Sequence, residues 1–500
     1  MTVLEKNLAA IKLTQPDIAE NLQHSRMGTA YKGITTAKTG EPIPLFASGQ
    51  ALQSLYNPAR EAERAVTASV GFMLFCGLGN GDRIKIFLTK YPHSFCAITE
   101  SDYESFKQLL SLIDYTDLLS DNRVFLLPPC TDISFESALT AAYLPAIHGT
   151  FGYHILRTWS EYYKTQIKDL PHHIEHALEK IKADFSVQVH FGKIWLRNIF
   201  LNLRLAGSTT PQYPQTDTTR TALILGAGPN LEKGLLPLKK HRQRYTLFCT
   251  DTAFPAVCAN GFTPEFFIAL DPQHISYQHS IGAIPKETIG IFDLSAQTAT
   301  ARRFYENGNT FFFTAGGHPL VQTAALFSPF PQLTTGSGTV AVAAYHAAQA
   351  LGYRHIECSG MDFAYTGGKA YTRGTYLSEQ YAASAVRICP QEHSFVRLMF
   401  RTETYSEQTE IGITYHTALL DSYRAAFEAE KHSTIRWQRG DFKQFPYAAF
   451  LKSFTQGLKH NERNNITSLL PALAWCQTHR KENFTDMELV SEFISEYTDT

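Results

Sequence analysis

TALILGAGPN, residues 221–230, is a short apolar run that breaks on Gly226 and Gly228 and passes into Pro229 and Asn230. A buried strand has that length, and two glycines let the backbone turn sharply with little bulk beside a ligand. Pro229 suits the first position of a helix, where no amide hydrogen is needed. The free N–H groups of such a helix start, with the positive end of its dipole, point at an anion, most naturally a phosphate. Leu231 stands where the third glycine of a G-x-G-x-x-G fingerprint would fall, which disfavours ordinary NAD binding. The competing reading is a plain strand-to-helix turn. A second apolar run, YTLFCT (245–250), leads to Asp251 and Thr252, and a third, FFIAL (266–270), leads to Asp271. Both carboxylates then belong at the C-terminal edge of one parallel sheet, where open α/β folds hold ligands. They are placed to meet ribose hydroxyls or to share a cation such as magnesium on a phosphate, although Asp271, followed by Pro272, equally suits a helix cap.

The same design occurs earlier in the chain. VGFMLFCGLGNGD (70–82) is an apolar run followed by Gly77, Gly79 and Gly81, and the next run, SFCAIT, closes on Glu100 at nearly the same spacing as Gly226 to Asp251. The expected fold class is therefore α/β, with two tandem Rossmann-like domains and a C-terminal helical region. The boundaries expected are 1–150, 151–435 and 436–500. The first begins with an amphipathic helix carrying Leu4, Leu8, Ile11 and Leu22, and residues 151 to about 206 read as helical. The tail ELVSEFISEYT also reads as helix. Composition agrees with large interiors: 44% of residues are apolar and 18% charged. A net charge of -1 supplies no field for nucleic acid or anionic lipid. Eight cysteines without a CxxC pair suit a reducing compartment and argue against a zinc site. No signal peptide or membrane span of about 18 apolar residues is visible, so a cytoplasmic location is expected.

Further on, LTTGSGTV carries Gly336, Ser337 and Gly338 before an alanine-rich helix, and HIECSG reads as a buried strand ending at Gly360. Asp362, Tyr365, Lys369, Tyr371 and Arg373 crowd the glycine-containing loop that follows. Tyrosine hydroxyls at a sheet edge can hold a leaving phosphate without adding charge; taken singly, each is as readily a packing residue.

In order, LGAGPNL, FCTDTAF, ALDPQ, GSGTV and GMDFAYTGGKAY resemble the motility accessory factor (Maf) proteins, and EKNLAAIK, SLYNPAREAERA, FCGLGNGD and AITESD extend the likeness into the N-terminal half. It covers nearly the whole chain and weakens after about residue 435. The resemblance implies a central domain of the 6-hydroxymethylpterin diphosphokinase (MptE-like) type, similar in fold to bacterial sialyltransferases that use CMP-sialic acid. It implies transfer of a nonulosonic acid from a CMP-linked donor to Ser or Thr of flagellin. GAGPNL matches the sialyltransferase GNGPSL turn, which puts Gly226, Gly228, Pro229 and Asn230 at the nucleotide. Ser337 and Gly338 match an SG pair beside base and ribose. Tyr365 and Tyr371 keep the spacing of two tyrosines that hold the departing phosphate, with Ala364 as one extra residue. His416, in GITYHTALLDSY, is the general base implied, lying farther along the chain than in those enzymes, with His393 second and Asp251 or Asp271 as substitutes. The glycine turn at Gly77–Gly81 resembles a methyltransferase-like site, but a scaffold or docking role is favoured there. Competing functions are an ATP- and magnesium-dependent pterin diphosphokinase and a non-catalytic flagellar assembly factor.

Overall fold

The computed structural model describes residues 1–336, 338–409, 412–430, 435–460, 463–479 and 495. Ser337 and, apart from Ser495, the tail expected to be helical lie outside the described residues. The chain divides into two compact units, Met1–His190 and Phe191–Trp475, with a short return to the first from Cys476.

The first unit opens with two helices, Val3–Thr14 and Pro16–His24, rather than one, because Pro16 restarts the chain after Gln15. The polar stretch after them is a hairpin of β1 (Tyr31–Thr36) and β2 (Pro42–Phe46). Four parallel strands follow, β3 (Phe72–Cys76), β4 (Phe95–Thr99), β5 (Val124–Leu126) and β6 (Phe151–Ile155), in the spatial order β5-β4-β3-β6. That is the order of a Rossmann half, with its crevice between β3 and β6. Residues 151–155, read from sequence as the start of a helix, are a strand because FGYHI pairs along the whole of β3.

Side chains fill that crevice. A Cβ on Gly77 would stand 2.9 Å from the Trp159 ring, and one on Gly79 would stand 2.7 Å from Gln53 Oε1. Glu100, the acid that would meet a ribose, instead accepts Leu78 N–H at 2.7 Å and Trp159 Nε1–H at 2.7 Å. Burial pushes its carboxyl up to about 7. The folded value exceeds the ordinary one, so this group's contribution is fully present at low pH and lost as pH rises through about 7, roughly 3 kcal/mol across that window. Glu100→Gln cannot accept from both donors, so it is expected to lower stability at pH 5 by about 1–3 kcal/mol. The gap to wild type should narrow by pH 8. Urea unfolding of both proteins at the two pH values checks this, and parallel pH profiles would refute it.

The second unit holds six parallel strands, β7 (Thr221–Leu225), β8 (Tyr245–Thr250), β9 (Phe266–Ala269), β10 (Ile289–Asp293), β11 (Phe311–Thr314) and β12 (Ile356–Ser359). Their spatial order is β11-β10-β9-β8-β7-β12. The first five march in one direction and the sixth returns to the far side of β7, so the topological switch point is the β7/β12 edge. β12 was expected to be buried; it is an edge strand with Glu357 and Cys358 exposed. The alanine-rich helix Val340–Ala350 buries Ala343, Ala344, Ala347 and Ala348 against Phe248, Phe266, Ile268 and Phe312. Small side chains let the helix lie close on a sheet already filled with phenylalanine. A small antiparallel sheet, β13 (Tyr365–Thr366), β14 (Tyr405–Thr409) and β15 (Gly412–His416), follows in the order β13-β15-β14. The mixed α/β architecture with two Rossmann-like sheets agrees with the sequence reading. In the expected C-terminal region, Tyr447–Lys459, Arg463–Ser468 and Leu470–His479 are helical. Among the described residues no helix is long and apolar enough to cross a membrane.

Candidate active site at the switch point

A cavity of about 620 Å³ opens at the C-terminal ends of β7 and β12. Gly226 and Gly228 line it from the first turn, Thr250 and Thr252 from the end of β8, and Asp271 from the end of β9. Gly338, Asp362, Phe363, Tyr365 and Tyr371 also line it, so the glycine turn and the tyrosine loop share one cavity.

The glycines act differently from the expectation. Gly226 N–H donates to Ser359 O at 2.9 Å and Gly228 N–H to Gly360 O at 2.8 Å. The turn is therefore not an amide-lined cradle but a backbone laid against another backbone. A Cβ on Gly226 would meet Gly360 O at 2.5 Å, and Gly360 itself has φ +71°. The helix Leu231–His241 starts two residues later than expected, with Leu231 rather than Pro229 in its first position and Asn230 at its cap. Asn230 gives its N–H, at 3.3 Å, and its side-chain amide to Asp362. Asp362 thus occupies the place at the helix start where an anion was foreseen, and its burial raises its carboxyl above the usual range despite those bonds.

Three bonds clamp the tyrosine loop to this turn. Thr372 N–H donates to Ala227 O at 2.9 Å, Lys369 Nζ pairs with Glu232 at 2.9 Å, and Arg373 N–H reaches the same carboxylate at 3.1 Å. Lys369 and the Arg373 backbone therefore orient the loop through Glu232, in the first turn of the helix. Within the loop, Phe363 takes φ 46°, and among the described residues it is the one non-glycine with positive φ. Strain of that kind, of order 1–3 kcal/mol, gathers at functional sites. Burial, followed by the nearby Tyr365, pushes the Tyr371 hydroxyl up to about 12, so at neutral pH it remains a proton donor.

Asp271 accepts Gln273 N–H at 2.8 Å. Its carboxyl is raised by burial first and by the adjacent Asp251 next. Asp251 is buried behind the lining, held by Thr252 N–H at 2.7 Å and the Thr252 hydroxyl, and its carboxyl is raised by burial as well. Asn198 and Asn202, one helical turn apart on Leu170–Gly207, donate to the carbonyls of Pro272, Ser295, Leu294 and Ala296. They fix the exits of β9 and β10, and Asp271 with them.

His416 is not in the lining. It ends β15 with Nε2 on Thr414 at 3.2 Å and Nδ1 on Arg424 at 2.8 Å, and burial lowers its basicity. The neighbouring Thr417 and Ala418 line the cavity in its stead. His393 is exposed on the helix Gln391–Met399, Gly336 is exposed away from the lining, and Pro229 is buried behind the turn. Sequence reasoning missed Arg401 and Tyr423, both lining residues. Arg401 acts electrostatically on Tyr371 and Tyr423 and forms no ion pair among the described residues. Neither lies in a glycine-rich or strand-end motif, so only an arginine in the polar stretch FRTETY pointed to it. The described residues hold no group of three or more His, Cys, Asp or Glu arranged for a metal ion.

Residues 195–368 match the family model described as 6-hydroxymethylpterin diphosphokinase MptE-like. An uncharacterized protein of Treponema pallidum (strain Nichols) is 40% identical over 248 residues, 49% of this chain and 89% of its own length. A second from the same organism is 45% identical over 175 residues, 35% of this chain and 83% of its own length. Among solved structures, the Maf glycosyltransferase from Magnetospirillum magneticum AMB-1 is similar with a TM-score of 0.54 and 14% identity, covering 99% of this chain and 95% of that one. At that identity the likeness is one of fold. The chain therefore belongs to one family with these Treponema pallidum proteins, and it carries an MptE-like domain at residues 195–368 within the fold of a Maf glycosyltransferase.

Proposed function

We propose that this protein is a glycosyltransferase that moves a nonulosonic, sialic-acid-like sugar from a CMP-linked donor to a Ser or Thr hydroxyl of flagellin. The observation that carries the reading is the single cavity at the switch point, lined jointly by the Gly226–Gly228 turn, the Tyr365–Tyr371 loop, Arg401 and Asp271. A CMP donor brings a phosphate and, in this sugar class, a carboxylate. Arg401 meets that negative charge, and the Tyr365 and Tyr371 hydroxyls donate to the phosphate as it departs. Asp271 takes the proton of the acceptor hydroxyl as its oxygen bonds the anomeric carbon and the carbon–phosphate oxygen bond breaks. CMP leaves with that oxygen and its electron pair.

The family match favours a second reading, diphosphoryl transfer from ATP to a pterin alcohol. Asp251 and Asp271 would then hold magnesium between them, and no described third carboxylate, His or Cys joins them. Calorimetric titration with CMP, then with ATP plus magnesium, separates the two, and silence with both favours a non-catalytic assembly role. The acceptor is tested in cells: flagellin from a strain lacking this protein is expected to lose the mass of its sugars, and an unchanged intact mass would end the flagellin reading. Replacing Tyr365 and Tyr371 together with Phe is expected to lower kcat about 100-fold, the scale of losing oxyanion-type donors. KM for the donor should change little. A loss confined to KM would show that the hydroxyls bind the ground state alone.

A further inference from the structure

A second cavity, of about 730 Å³, lies in the same unit. Three chain segments line both cavities. Thr252, Asp271 and Tyr371 face the first, while Phe254, Ile275 and Tyr376, a few residues further along each segment, face the second. His279 and Tyr376 stand at the division: the His279 ring meets Tyr376 edge-on at 4.7 Å, and both interact electrostatically with Asp251 and Asp271. His279 is 6% exposed, and its Nδ1 is buried with no hydrogen-bond partner. A buried imidazole nitrogen left unbonded is costly unless something completes it. Elsewhere the lining sets Phe254, Pro255, Ile275 and Ile281 beside the amides of Gln278 and Gln380, with one carboxylate, Glu379. Ile275 and Ile281 are 40% and 51% exposed. Exposed aliphatic groups beside primary amides suit a polypeptide, whose side chain takes the apolar wall and whose peptide groups pair with the amides.

Resting on the transferase reading above, we infer that this second cavity is the acceptor pocket. It takes the polypeptide segment that carries the acceptor Ser or Thr and delivers the hydroxyl past His279 to Asp271. The donor fills the first cavity and the acceptor chain the second, with the wall between them holding the base.

Gly282 offers a clean test, because a Cβ there meets nothing within 4 Å and its φ is not in the left-handed region. Gly282→Trp puts an indole at the second cavity without disturbing the first, and Ala383→Trp does the same from the helix Tyr376–Ser384. Each is expected to reduce transfer to purified flagellin by about tenfold or more, through KM. CMP affinity and CMP release from the donor without acceptor should stay within about twofold of wild type. Unchanged transfer in both variants, or equal loss of CMP binding, overturns the proposal. If the wild-type protein neither binds CMP nor releases it from the donor, the transferase reading has failed on its own account. The pocket is then judged by a photo-crosslinking side chain in place of Gln380. Capture of purified flagellin there, and not from the same group in place of exposed Lys240, supports the pocket, and no capture above that control refutes it.

Discussion

Asp271→Asn leaves CMP binding within about twofold and lowers transfer by about 10²–10⁴-fold, the usual worth of a general base. The expectation rests on position and surroundings together. Asp271 is the carboxylate at the end of β9 that reaches the cavity, while Asp251 lies behind it and Asp362 is spent on Asn230. Burial, with Asp251 second, raises the Asp271 carboxyl above the ordinary range, which makes it a stronger base than an exposed aspartate. The sign of the pH effect follows. A base must be unprotonated, so kcat/KM rises as pH passes the carboxyl's raised value. That acid limb lies at higher pH than for an ordinary aspartate and belongs to the Asp251–Asp271 pair rather than to one residue. Asp251→Asn removes the neighbouring charge and should move the limb to lower pH while transfer persists. His416→Gln, by contrast, is expected to act through the stability of the β14–β15 sheet, leaving the shape of the pH profile intact. A collapse of transfer in His416→Gln with an unperturbed fold would reverse the assignment.

These assignments also mark how far the residues could be read before the fold was known. Strand-to-helix turns at Gly77 and Gly226, and acids at the ends of the following strands, are local patterns, and the two Rossmann-like sheets follow from them. What each turn does depends on chain far away. Ser359 and Gly360 take the amides of the Gly226 turn, and no local spacing announces a partner so distant in sequence. Trp159 fills the crevice beside Gly77 in the same manner, converting a site-like motif into packing. β6 escaped notice because FGYHI is short and follows a glycine and a threonine, and its pairing with β3 is a tertiary event. Tyr365 and Tyr371 stood out in a glycine-containing loop and gained their pairing from resemblance, whereas Arg401 and Tyr423 reach the cavity from a loop and a helix face with no motif of their own. Periodicity finds elements; convergence of side chains from separate elements needs the fold.

Gly228→Ala is expected to remove CMP binding, by about tenfold or more, and to destabilise the second unit. Its Cβ would stand 2.0 Å from Asp362 Oδ2 and 2.7 Å from Gly360 O, distances no packed pair sustains. One of the two must move. The Gly360 carbonyl is held by the Gly228 amide, and Gly360 is already in the left-handed region, where any other L-residue is strained by about 1–2 kcal/mol. Asp362 is the softer neighbour, but moving it breaks its bonds to Asn230 and drags the strained Phe363 beside it. Overpacking of this kind costs about 1–3 kcal/mol, which for a unit of this size lowers the melting midpoint by roughly 2–10 °C. The double variant Gly228→Ala with Asp362→Ala removes the nearer obstacle, so part of the lost midpoint should return. CMP binding should not recover with it, because the cavity wall would then lack the group that orders the helix start. Recovery of stability in the double variant without recovery of binding is the pattern that a backbone-on-backbone turn at the switch point requires. If Gly228→Ala instead melts and binds like wild type, the close approach of the two loops is wrong, and with it the shape of the cavity on which the transferase reading depends.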